Sequence, residues 1–236
     1  MQVLVFNSSP HKDKGGTGKI LNPFLEGMKE AGADIDLIYV HKLTINPCRG
    51  CFTCWTNSPG KCVQDDDMTE ILPKFTSADI IVFATPVYVD GMTSTMKVLL
   101  DRSIPLIKGV WEIRDNHCRH PQREKKESGK VVLVSVSGFT ELDNFDPLIM
   151  HMKAACKNMD REFVGSVLRP CSWVLPMLKE RGINIDDIIE ATKEAGSQII
   201  KNGKFSPKTL STISRELVPR EEIIKVLNPY FEKFES

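Results

Sequence analysis

Met1-Gln2-Val3-Leu4-Val5-Phe6-Asn7-Ser8-Ser9-Pro10-His11-Lys12-Asp13-Lys14-Gly15-Gly16-Thr17-Gly18-Lys19 opens the chain. Residues 2–6 are a nearly continuous apolar run, the pattern of a strand covered on both faces. The run breaks at Asn7-Ser8-Ser9-Pro10. Ile20, Leu21, Phe24, Leu25 and Met28 then recur at helical spacing until Gly32. No basic lead-in precedes the apolar run, so it reads as a first strand and not as a signal peptide.

Between strand and helix lie hydroxyls, glycine amides and a positive helix end, the parts of a phosphate cradle. The loop is not a Walker loop, because Gly18-Lys19 is followed by Ile20 and no glycine sits at the required upstream position. It also lacks the G-x-G-x-x-G dinucleotide spacing. Hydroxyl donors suit a monophosphate. The plain alternative is a glycine-rich turn that only permits a tight connection.

The same alternation continues downstream. Strands are expected at 34–40, 79–84, 131–136 and 162–168, and helices at 68–75, 93–102, 145–158 and 185–201. Asp65-Asp66-Asp67 suits the positive end of the helix that follows. The charged stretch 114–130, including Arg123-Glu124-Lys125-Lys126, reads as a surface insertion or loop. After Gly203 the chain changes character, and Pro207, Pro219 and Pro229 separate short amphipathic segments. Residues 1–203 are therefore expected to form one domain, with 204–236 a helical extension serving as lid or oligomer arm. Five strands alternating with helices imply an α/β fold with a doubly wound parallel sheet. Ligands of such sheets bind outside the carboxyl ends of the strands.

Two further loops leave that edge. Ala84-Thr85-Pro86-Val87-Tyr88-Val89-Asp90-Gly91-Met92 offers a stacking face and backbone groups for a flat heteroaromatic ligand, or else a Pro-Gly turn with Tyr88 half in the core. Ser135-Val136-Ser137-Gly138-Phe139-Thr140-Glu141 repeats the combination of small polar residues, glycine and an aromatic.

A separate signature is Cys48-x2-Cys51-x2-Cys54-x7-Cys62, four thiols in the loop 47–62. Three readings compete. A 4Fe–4S cluster takes four thiolates, and the seven-residue spacing lets the last return to the same centre. Zinc usually takes two well-separated C-x2-C knuckles, which is not this pattern. The third reading is a loop of free thiols, able to form one reversible disulfide. Phe52 and Trp55 would shield a cluster or simply anchor the loop. Cys156 reads as core, and Cys118 with His117 and His120 as a solvated loop.

Ser-Ser-Pro…Gly-Thr after the first strand, Thr-Pro-Val-Tyr after the third and Ser-x-Ser-Gly after the fourth resemble the NAD(P)H-dependent FMN reductase family of flavodoxin-like proteins. With the cysteine signature and Asp66-Asp67-Met68, the chain more specifically resembles the iron–sulfur flavoproteins, over roughly residues 1–200. The resemblance implies strand order 2-1-3-4-5. It implies an FMN phosphate held by Ser9, His11, Gly16, Thr17 and Gly18. It implies an isoalloxazine between Pro86, Val87, Tyr88, Val89 and Met92 on one side and Ser137, Gly138 and Phe139 on the other. It further implies a 4Fe–4S cluster on Cys48, Cys51, Cys54 and Cys62. Family members often carry arginine where this chain has His11, which leaves phosphate neutralisation to Lys12, Lys14 or Lys19.

Thirty-one basic and 31 acidic side chains leave a net charge of zero, which gives no support to nucleic-acid or anionic-membrane binding. No stretch approaches the ~18 apolar residues of a membrane span. Seven cysteines point to a reducing cytoplasm, where clustered thiols mean metal or redox chemistry. The expected activity is an FMN-dependent oxidoreductase relaying electrons between flavin and cluster, with NAD(P)H or ferredoxin as donor and a small molecule or protein as acceptor. The alternatives are a cluster-free NAD(P)H-dependent FMN or quinone reductase, and a non-catalytic flavodoxin-type carrier or redox sensor. A flavin resting on three loops leaves one face open, so a homodimer or homotetramer is expected.

Overall fold

The strands of the main sheet send alternate side chains to opposite faces, apart from a register shift in the last strand opposite Val131–Val132, and apolar side chains cover both faces. The computed structural model describes residues 1–124 and 129–235; the expectation of a solvated run at Lys125-Lys126 lies outside them. In chain order the first elements are β1 (Gln2–Asn7), α1 (Gly16–Glu30), β2 (Asp34–Tyr39), α2 (Met68–Ser77), β3 (Ile80–Pro86) and α3 (Ser94–Asp101). A small hairpin, β4 (Glu112–Arg114) and β5 (His117–Arg119), precedes β6 (Lys130–Val136), α4 (Asp146–Asn158) and β7 (Glu162–Arg169). The chain continues with α5 (Val174–Glu180), α6 (Asp186–Asn202), α7 (Pro207–Ser214) and α8 (Arg220–Phe231). The five long strands run parallel in the order β2-β1-β3-β6-β7. This is the expected 2-1-3-4-5 order once the hairpin strands are set aside.

Val3, Val5, Ile80, Val82, Val132 and Val134 pack under α1 and α6. Their neighbours Leu4, Phe6, Ile81, Phe83, Val131 and Leu133 pack under α2, α3 and α4. On that second face Phe6 stacks on Phe75 and Phe83, with ring centroids 5.0 and 5.8 Å away. Period-two alternation between two apolar layers explains why these strands read as continuous apolar runs.

Helices α1 and α6 cross backbone to backbone. A Cβ on Gly27 would run into the Lys193 carbonyl, and one on Gly196 into the Phe24 carbonyl.

Three features depart from expectation. The charged stretch 114–130 is not all loop: its start closes the β4–β5 hairpin through Asp115 and Asn116, both at positive φ (55° and 56°), as a tight hairpin turn needs. Helix α5 had no counterpart in the periodicity reading. Pro229 lies inside α8 and does not divide it.

The segment after Gly203 begins as core. Ile213 is fully buried, and Phe205 lies against Phe24 (6.3 Å between centroids). The buried Arg169 donates from Nη1 to the carbonyls of Ile213 (2.7 Å) and Arg215 (2.8 Å). Burial of this cation lowers its pKa to about 10. By contrast α8 exposes Ile224, Val226, Tyr230 and Phe231. Among the described residues, no helix is long and apolar enough to cross a membrane.

The α1–α6 crossing gives a direct test. Overpacking a well-filled contact costs about 1–3 kcal/mol, and a domain of this size loses roughly 2–4 °C per kcal/mol. Gly196→Ala should therefore lower the thermal midpoint by roughly 2–12 °C; an unchanged midpoint would contradict so close a crossing.

Candidate functional site

Parallel pairing sends the loops after β1, β3, β6 and β7 out of one edge, since Asn7 pairs with Ala84, Pro86 with Val136 and Val136 with Arg169. Buried hydroxyls knit that edge. Ser8 N–H donates to the Ala84 carbonyl (2.9 Å) and Thr93 Oγ1 to Ser8 Oγ (2.8 Å). Thr93 N–H donates to Thr85 Oγ1 (3.1 Å) and Ser135 Oγ to the Thr85 carbonyl (2.7 Å). Thr93 also accepts from Met96 N–H (3.4 Å), so it caps α3. The hydroxyls of Ser8, Thr85, Thr93 and Ser135 therefore fix where the loops after β1, β3 and β6 begin.

The β1–α1 loop folds tightly over the first turn of α1. A Cβ on Gly18 would meet Asp13 Cα and the Lys12 carbonyl oxygen at 2.5 Å, and one on Gly16 would strike Ser172 Oγ. Tyr39 donates its hydroxyl to Asp13 (2.6 Å), tying the loop to β2; burial and then Asp13 push this phenol up to about 12. Helix α1 has no side-chain N-cap and no acidic residue in its first turn. The buried Thr17 Oγ1 has no hydrogen-bond partner among the described residues. An uncapped helix start beside an orphaned hydroxyl is a donor set suited to an anion. Ser9 is buried at this turn, and His11 is exposed on its rim.

The β3–α3 loop makes a two-residue turn. Tyr88 and Gly91 exchange N–H···O bonds (2.9 and 3.1 Å), with Val89 and Asp90 at φ 47° and 59°. A β-branched residue at positive φ is strained, and Val89 is 99 % exposed at the tip. Tyr88 is 49 % exposed; Pro86 and Val87 are half-buried. Met92 instead lies in the core layer with Met96 and Leu99, away from the loop surface.

Across the edge, Gly138 and Phe139 are exposed while Ser137 is buried. Their carbonyls are occupied by a loop that the sequence reading did not single out, the one after β7. Ser172 N–H donates to the Ser137 carbonyl (3.2 Å), Trp173 Nε1 to that of Gly138 (3.0 Å) and Cys171 N–H to that of Phe139 (2.8 Å). Cys171 sits at φ 49° to make this clamp. The only advance signal was Pro170-Cys171-Ser172-Trp173 at a strand end. The clamp rigidifies the Ser137–Phe139 segment from behind and leaves its other side open; a Cβ on Gly138 would meet nothing within 4 Å.

The β2–α2 connection carries the thiols. Cys48, Cys51, Cys54 and Cys62 line one pocket with Phe52, Arg102, Ile104 and Pro105, and all four are free cysteines. Among the described residues, no three Cys, His, Asp or Glu side chains converge as a single ion would require. Gly50 N–H and Thr53 Oγ1 approach the sulfurs of Cys48 and Cys51, each at 3.5 Å. The Thr53 contact draws the Cys51 thiol pKa down, whereas burial and then neighbouring thiols raise that of Cys54. Left-handed backbone at Gly50, Phe52 and Gly60 (φ 63°, 51° and 82°) coils the loop around the pocket.

Aromatic and basic groups anchor its far side. Phe52 stacks on Trp55 (4.8 Å), and Trp55 on His120 (4.7 Å), so His120 is part of the loop's packing and not a free solvated group. Arg123 donates to the Cys54 and Pro105 carbonyls, both at 2.9 Å. At the neck, Asp66 receives a two-pronged contact from Arg102 (2.6 and 3.0 Å) and the N–H groups of Asn46 (3.0 Å) and Met68 (3.2 Å). Burial works against the Asp66 carboxylate, but these donors prevail and hold its pKa at about 2.

Residues 1–141 match the family described as NADPH-dependent FMN reductase. An iron-sulfur flavoprotein of Methanocaldococcus jannaschii is 37% identical over 106 residues, covering 45% of this chain and 53% of that protein. One from Methanosarcina thermophila is 36% identical over 106 residues, covering 45% and 54%. The chain thus spans about half the length of the curated relatives it matches. An FMN-dependent NADH-azoreductase from Bacillus anthracis superposes with a TM-score of 0.63 at 18% identity, over 85% of this chain and 99% of that one. An NAD(P)H:quinone oxidoreductase from Methanothermobacter marburgensis gives 0.57 at 17%, over 84% and 96%. These superpositions share the flavodoxin-like fold. The family match takes in the loops after β1 and β3 and the whole thiol loop, and this chain belongs to the NADPH-dependent FMN reductase family.

Proposed function

We propose that the chain is an FMN-dependent oxidoreductase that passes electrons between a flavin on the carboxyl edge of the sheet and a 4Fe–4S cluster in the thiol pocket. When bound, FMN supplies two-electron hydride chemistry and the cluster one-electron transfer. The residues present fit both groups. Thr17 Oγ1 and the uncapped amides of Gly16, Thr17 and Gly18 would hold the phosphate, with Ser9 inside and His11 at the rim. Pro86, Val87, Tyr88 and Val89 would line one side of the ring, and Ser137, Gly138 and Phe139 the other. The exposed aromatics Tyr88 and Phe139 would exclude water there. Met92, buried below, would support the loop without touching the ring.

The observation that carries the cluster reading is the arrangement of the thiols. Cys48, Cys51, Cys54 and Cys62 surround a pocket without meeting at a point, and N–H and O–H donors face three of the sulfurs. A single zinc needs four ligands about 2.3 Å from one centre; a cubane takes one thiolate at each of four irons and suits thiols spread around a core. NADPH is the preferred donor, because the matched family is described by it. The acceptor is a small molecule or a protein. The apolar side of α8 is the proposed oligomer arm, and residues 204–215 belong with the core.

Two measurements test the assignment. Thr17→Val removes an unsatisfied hydroxyl, so the flavin-free protein should be no less stable. A hydrogen bond to a charged group contributes about 1.5–3 kcal/mol, so FMN should dissociate roughly tenfold to a hundredfold more readily, read by flavin fluorescence titration. Unchanged affinity would place the phosphate elsewhere. Protein purified without oxygen should carry about four irons per chain and broad visible absorbance. Cys54→Ala should lose most of both while keeping flavin absorbance; equal iron in the variant would refute the cluster.

A further inference from the structure

Arg102 is 1 % exposed, yet it is a permanent cation and nothing in the flavin site uses it. It caps the C-terminal end of α3 and forms part of the wall of the thiol pocket. Nη1 donates to Asp66 and to the Asn46 carbonyl, both at 2.6 Å. Nη2 donates to Asp66 at 3.0 Å and to Cys62 Sγ at 3.4 Å. Nε is buried without a partner among the described residues. Leaving a donor of a buried guanidinium unpaired is costly, and a buried ion pair is weak evidence of stabilisation for its own sake. The carboxyl end of a helix also presents partial negative charge. Without Arg102, α3 would turn that charge, together with Asp66, toward the thiols.

We propose that Arg102 is a positioning residue of the thiol pocket: acting through Cys62, it sets the reduction potential of the centre held there, and Asp66 partly offsets it. This rests on the cluster reading above. Each electron added makes the centre more negative. A cation bonded to one of its sulfurs favours the reduced form, and hydrogen bonds to the sulfurs and local charge are the established controls on such potentials. Asp66 grips the same guanidinium from the other side, so it orients the fork and moderates its field. The pair therefore gives two handles of opposite sign on one quantity.

The test is potentiometric titration of the full-length, anaerobically purified protein, following the cluster by electron paramagnetic resonance and the flavin by absorbance, with iron counted in each sample. Arg102→Gln should lower the electron affinity of the cluster at least tenfold, ~59 mV for one electron. Arg102→Lys, which keeps the charge and loses the fork, should fall between it and wild type. Asp66→Asn should shift the cluster the other way. Flavin potentials should stay put in all three. A merely structural role would not give opposite shifts from the two halves of one ion pair. If Arg102→Gln does not accumulate folded, the Asp66→Asn arm decides alone: a rise supports the proposal, and no change overturns it. Full iron with unmoved potentials overturns this inference and leaves the cluster standing. Wild-type protein without iron overturns both.

Discussion

Parallel strand direction is the constraint on which the rest of the structure depends. With β1 held in register between β2 and β3, and β6 and β7 added on the far side, the connections after all five strands start from the same edge. None of those loops needs to be brought there by a special contact. The β1–α1 loop supplies an uncapped helix start, the β3–α3 and β6–α4 loops expose the aromatic rings of Tyr88 and Phe139, and the β2–α2 connection carries four thiols. The apolar alternation that buries both faces of the sheet is thus also what assembles the site.

Helix α3 ties the two halves of that edge together. Its N-cap, Thr93, belongs to the hydroxyl lattice under the loops after β1 and β3, and its C-cap, Arg102, closes the thiol loop. The caps flank a helix of eight residues, about 12 Å long. One short rigid element therefore sets the spacing between the loops after β1 and β3 and the sulfur-lined pocket. Asp66 at the start of α2 fixes the far side of the neck, since the same carboxylate accepts from Asn46 before the thiols and from Met68 after them. The 25-residue loop from 43 to 67 is held at its base, while Trp55 and Cys54 at its tip rest on His120 and Arg123.

Much of this was legible before any coordinates. The three central strands β1, β3 and β6 announced themselves because they are buried on both faces, and the hydroxyl-rich turn at Asn7–Thr17 and the cysteine spacing are local patterns. What escaped was decided by contacts distant in sequence. The β4–β5 hairpin has three-residue strands dominated by charge, so no apolar alternation marks it. Helix α5 is only seven residues long and contains Pro176. Arg102 pairs with Asp66 across 36 positions, and nothing local distinguishes a buried arginine from a solvated one. The clamp from Ser172 and Trp173 likewise depends on β7 lying beside β6.

The proposed flavin at the sheet edge and the proposed iron centre in the sulfur-lined pocket stand at opposite ends of α3. Diffraction from crystals grown without oxygen, collected on both sides of the iron absorption edge, tests this arrangement most directly. The expected map shows an anomalous iron peak enclosed by Cys48, Cys51, Cys54 and Cys62, with flavin density running from Thr17 to Tyr88 and Phe139. A pocket without iron, or a flavin bound away from those loops, would contradict it.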